Sequence, residues 1–127
     1  MIKVSYNQAR NTVMIEFIGT VSVAEAEQHY LDLQKIVPKC KKGFKLLTDF
    51  TALQSMDPKV QGVIKKAMDY FNRQGISKIF RVIPTPEQDF GLNILSFFHY
   101  SKEVKFFTLT SREEAEEHIR GEENASK

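Results

Sequence analysis

Two aspartates (Asp49 and Asp57), one cysteine (Cys40) and three histidines (His29, His99 and His118) are the residues from which a catalytic or metal centre would be assembled. Metal sites on a helix pair their ligands one turn apart, and none of these histidines has a second histidine or cysteine at that spacing. Glu114, Glu117 and His118 read instead as the charged outer face of a helix. Cys40 stands among Lys39, Lys41, Lys42 and Lys45, a setting that lowers a thiol pKa. With no second cysteine and no implied histidine, it points to no thiol chemistry. Asp49 and Asp57 suit an acid–base pair by type. Yet Asp57-Pro58 is a helix-start signal, and Asp49 falls at a strand end. The six glycines form neither a phosphate-cradling loop nor a nucleophile elbow. The residues therefore read as a non-enzyme with no metal and no cofactor.

A chain of 127 residues leaves room for one ordinary core, read here as residues 1–120 with a flexible tail over 121–127. Hydrophobic residues make up 42% and charged residues 27%, which excludes a disordered or fibrous chain. Ten Phe and four Tyr supply the core without disulfides, and a lone cysteine favours a reducing, cytoplasmic setting. No apolar run approaches the ~20 residues of a membrane helix, so no membrane insertion is expected. From Arg112 onward six acidic residues face three basic ones; the remainder of the chain is +5. No dense basic stripe interleaved with aromatics appears, so no nucleic-acid partner is expected.

Residues 2–7 and 12–18 alternate with period two and read as strands, the second ended by Gly19 and Thr20. Ser22-x-x-Glu25 opens a helix that Pro38 closes. Residues 44–50 form a third strand, followed by a loop, TALQSM, and then the helix begun by Asp57-Pro58 and stopped at Gly75. A strand over 77–83 precedes a helix from Thr85-Pro86 to about residue 100. A fifth strand lies within 102–110. Ser111-x-x-Glu114 caps the last helix, which Gly121 ends. Alternating strands and helices imply an α/β fold: a single-layer, mostly parallel five-stranded sheet with four helices mainly on one face. Glu16, Lys45 and Arg81 interrupt the strands, which a sheet covered on both faces would avoid.

The helix expected over 86–100 is over-apolar. Phe90, Leu92, Ile94, Leu95, Phe97 and Phe98 cover far more of its circumference than the roughly 100° stripe that sheet packing needs. Its excess is either buried by a neighbouring helix or, at Leu92, Leu95 and His99, offers a partner, dimer or ligand surface.

The stretch from Asp49 to Asp57 (DFTALQSMD) resembles the central signature of STAS domains, the SpoIIAA-like anti-sigma-factor antagonists. In that family a strand ending Asp-Leu/Phe-Ser/Thr leads to a Met/Ile-Asp-Ser-Ser-Gly-x-Gly loop that opens a helix. The two aspartates keep the family spacing, Leu53 and Met56 fill its hydrophobic positions, and Gly62 matches its second glycine. The element order over 1–120 is similar to the family's β/α superhelix. The loop departs, because Pro58 and Lys59 stand where the two serines belong, Lys59 at the phosphoacceptor position. The resemblance therefore implies the fold and a regulatory protein-binding edge, without the family's phospho-switch at that position. The surface expected to meet a protein partner, or a second copy, combines Thr20, Val21, Asp57, Pro58 and Lys59 with Leu92, Leu95 and His99. The related lipid-binding CRAL-TRIO (Sec14-like) fold group supplies the alternative, a small carrier of an apolar or acyl ligand.

Overall fold

The computed structural model describes residues 1–85 and 100–125. The chain starts with two antiparallel strands, β1 (Ile2–Asn7) and β2 (Thr12–Val21). Asn11 closes the turn between them in a left-handed conformation (φ 49°) that asparagine tolerates better than most residues. Its side-chain oxygen accepts from Tyr6 Oη at 2.7 Å and from the Lys41 N–H at 3.0 Å, fastening the turn to the loop before the third strand.

Helix α1 (Val23–Ile36) is capped by Ser22, whose Oγ accepts the Glu25 N–H at 3.2 Å. The Glu25 carboxylate engages the Met1 ammonium at 2.9 Å. Pro38 turns the chain through a 3₁₀ segment (Val37–Lys39) into β3 (Lys45–Met56). There follow α2 (Val60–Arg73), β4 (Lys78–Val82), β5 (Lys105–Leu109) and α3 (Arg112–Ala125). Gly75, at φ 88°, takes the left-handed position that stops α2. The helix expected over 86–100 lies outside the described residues. The last helix runs past Gly121, where a frayed tail was expected, to Ala125.

The sheet order is β1-β2-β3-β4-β5, with β1 antiparallel and every other pairing parallel. One face packs α1 and α2 over Val13, Ile15, Phe17, Leu46, Phe50 and Ile79, with Phe17 stacked on Phe50 at 4.9 Å. The other face carries a smaller cluster, in which Leu47, Phe80, Val82 and Leu109 meet Ala115 and Ile119 of α3. The strand charges resolve differently from one another. Glu16 is bridged by Arg112 at 3.4 Å, and Lys45 donates to the Arg10 carbonyl at 3.1 Å. Arg81 does not mark an open face: it is 3% exposed, on the α1/α2 side, with its guanidinium 5.3 Å from the Phe106 ring. Stacking on an aromatic ring lets this weakly hydrated cation sit inside.

The largest departure from the sequence reading is TALQSM, which is strand rather than loop. β2 also continues beyond its expected end, and its backbone supplies the pairing: Ile18↔Ala52, Gly19↔Leu53, Thr20↔Ser55 and Val21↔Met56. Two register irregularities, between Glu16 and Ile18 and between Gly19 and Thr20, accompany this extension; Gly19 has φ 67°.

Candidate functional site

The extension of β2 and β3 creates a ledge. Pairing of the N-terminal segment with β2 ends at Ile18, which exchanges backbone bonds with Met1 at 2.7 and 2.8 Å, and β4 pairs with β3 only as far as Asp49. Beyond those rungs the two long strands run on as a ribbon. Thr20 Oγ1 and Ser55 Oγ lie 3.0 Å apart across it, and the Asp57 N–H donates to the Val21 carbonyl at 3.2 Å as its last rung. Ligands of open parallel sheets gather at this carboxyl end of the strands.

Asp57 then turns the chain into α2. Its Oδ1 accepts the Lys59 N–H at 2.9 Å and its carbonyl accepts the Val60 N–H at 2.8 Å. Pro58 precedes the cap instead of occupying the first helical position, and its carbonyl accepts the Gln61 N–H at 3.2 Å. Lys59 occupies the cap position of α2 and makes no side-chain cap bond. Asp57→Ala is expected to lower stability by about 1 kcal/mol, read as a lower urea midpoint at an unchanged denaturant slope.

Five of the eight residues expected at a partner surface are thus brought together: Thr20, Val21, Asp57, Pro58 and Lys59. Four of them are exposed. Val21 is the exception, at 0% exposed, because it packs with Leu53 and Val60 beneath the ledge. It contributes a carbonyl rung, not a side chain. Leu92, Leu95 and His99 lie outside the described residues. Gln54 and Ser55, which sequence reasoning left in a loop, are exposed on the ledge beside the others. The signal that would have found Ser55 is its match to Thr20, legible only once the strand register is known.

The candidate chemical residues do not converge. Asp49 is buried on the face of Leu47, with its Oδ1 accepting the Thr51 N–H at 2.8 Å. Cys40 is not activated by its lysines: burial pushes its thiol pKa up, outweighing the lowering by a Tyr6 hydrogen bond. Burial also holds His29 neutral, with its pKa pushed down to about 4 against a smaller opposing effect of Asp32. His118 sits by Phe107, 5.8 Å between ring centres. Among the described residues no three His, Cys, Asp or Glu side chains are placed to hold a metal ion, and no helix is long and apolar enough to cross a membrane. The cavity between the sheet and α1/α2 measures about 60 Å³, well short of the roughly 300–1,000 Å³ of small-molecule sites. Nothing in the described residues supports an apolar-ligand carrier.

No protein-family model and no curated protein matches the sequence. Solved structures do match. An uncharacterised protein of the DUF3478 family with a SpoIIAA-like fold, from Shewanella loihica PV-4, superposes with a TM-score of 0.72 at 12% identity, covering 93% of each chain. The Bacillus cell-fate determinant SpoIIAA in its phosphorylated form gives 0.64 at 17% identity, over 94% of this chain and 100% of that one. An anti-sigma-factor antagonist from Mycobacterium paratuberculosis gives 0.60 at 11% identity, over 94% and 95%. The chain therefore has the SpoIIAA-like fold, an α/β domain with a mostly parallel five-stranded sheet.

Proposed function

We propose that the chain is a non-enzymatic, regulatory protein-interaction module of the cytoplasm that docks its partner on the ledge. The observation that carries this reading is the ledge itself. Two strands outrun the sheet and hold exposed Thr20, Ser55, Asp57, Pro58 and Lys59 over a buried floor of Val21, Leu53 and Val60. A rigid floor under polar tips supplies preorganised hydrogen-bonding groups at little ordering cost. The likeness to anti-sigma-factor antagonists supports a protein as the occupant. Lys59 supports a constitutive rather than phosphorylation-gated contact, since the first turn of α2 presents an ammonium where the related signature has a hydroxyl. The free cysteine and the lack of a membrane-spanning helix among the described residues fit a cytoplasmic location.

The test pairs the wild-type chain with a Thr20→Arg, Lys59→Glu variant as baits in lysate of the native host. Whatever the wild type retains is purified and titrated against both by calorimetry. Both positions are exposed, so the double variant is expected to fold normally, its stability within about 1 kcal/mol of wild type. The expected result is a loss of affinity of about tenfold or more. Equal binding by the variant would remove the ledge as the docking surface. Light scattering on the purified chain shows whether the partner is a second copy.

A further inference from the structure

We infer that the groove between the β1–β2 turn and α3, at the opposite end of the strands from the ledge, binds a phosphate monoester carrying an apolar group. The groove has a volume of about 220 Å³ and is lined by Asn7, Arg10, Thr12, Met14, Leu47, Glu116, Ile119 and Arg120. Arg10 comes from the turn and Arg120 from the helix. Neither guanidinium makes a hydrogen bond or ion pair among the described residues. Two neighbouring charged groups are engaged. Glu116, the one acid among the lining residues described, is held by Arg112 at 3.4 Å, and Lys45 donates to a carbonyl. Arginines from both sides of one groove give it a positive charge, and a dianion bound there is attracted to both. Their planar forks match the oxygens of a phosphate, which accepts paired N–H bonds.

The site is built on fixed backbone. The Arg10 N–H donates to Asn7 Oδ1 at 3.2 Å, and its carbonyl accepts from Thr12 Oγ1 at 3.0 Å and Lys45 Nζ at 3.1 Å. Arg120 follows Ile119, which is 2% exposed and anchors α3 to the sheet. Leu47, Ile119 and half-buried Met14 form an apolar floor suited to the ester group. Lys45, Lys78 and Lys105 stand in register at the starts of β3, β4 and β5, adding positive potential at this end of the sheet.

Amide chemical shifts of the full chain are followed at low salt during separate titrations with phenyl phosphate, inorganic phosphate and phenol. Saturable shifts at Arg10, Thr12, Ile119 and Arg120 are expected with phenyl phosphate, with weaker binding of inorganic phosphate and none of phenol. Arg10→Gln and Arg120→Gln are each expected to weaken phenyl phosphate about tenfold, while Lys59→Gln at the other end leaves it unchanged. Binding unaffected by either arginine variant, shifts spread evenly over the surface lysines, or no saturation would overturn the site. Equal affinity for both phosphates would overturn the apolar half of the assignment.

Discussion

Phe80→Ala is expected to lower folding stability by about 3–5 kcal/mol, the largest effect of any single change considered. Phe80 sits at the middle of β4 with 0% exposure, its ring stacked on Phe107 at 5.0 Å and 12°. It anchors the smaller of the two cores, where Leu47, Phe80, Val82 and Leu109 meet Ala115 and Ile119 of α3. Removing the ring leaves a void that so small a cluster fills poorly, and the lost contacts are those that hold α3 to the sheet. Urea unfolding reads the loss, and faster amide exchange along α3 locates it. Phe80→Leu serves if the alanine variant does not accumulate, with a smaller cost in the same direction, since it leaves a smaller void. A Phe80→Ala chain within about 1 kcal/mol of wild type would show that α3 docks by other means.

The second large effect is a pH dependence. His29 is 9% exposed against Phe17, its Nδ1 has no hydrogen-bond partner, and its pKa is pushed down from 6.5 to about 4 chiefly by burial. The unfolded chain takes up this proton near pH 6.5 and the folded chain only near 4. The stabilisation is therefore fully present above pH 6.5 and drains away as the pH falls towards 4. By linkage the loss amounts to about 2 kcal/mol at pH 5 relative to pH 7. His29→Leu removes the titrating group and the orphaned nitrogen together. Denaturation at pH 7 and pH 5 is expected to show the drop in wild type and its disappearance in the variant. The same slope in both proteins would assign the acid sensitivity to other groups.

The fold was legible where local chemistry and tertiary packing agree. Val13, Ile15 and Phe17 announce β2 by their alternation, Ser22 marks the cap of α1, and Asp57-Pro58 marks the turn into α2. The ledge was not legible, for a physical reason. TALQSM has neither a clear alternation nor β-rich side chains, and it is strand because β2 lies beside it with unpaired backbone groups. The two irregularities that set the Thr20–Ser55 pairing are a property of the paired strands, not of either segment alone. Val21, just past the expected strand end at Gly19-Thr20, was expected on the partner surface. The prolonged strand turns its side chain inward instead. Arg81 read as a solvent-facing interruption, because no local pattern announces the Phe106 ring that receives it.

Five of the eight residues expected at the surface were therefore named without the setting in which the structure places them. The helix-start residues were visible, while the platform that lifts them past the sheet was not.

The docking claim is tested most directly by mapping the isolated partner onto the isotope-labelled chain, purified without phosphate modification. Shifts concentrated at Thr20, Ser55, Asp57 and Lys59, at full affinity, are what the ledge predicts. Shifts confined to α3 or the β1–β2 turn, or binding that appears only after phosphorylation of the chain, would contradict it.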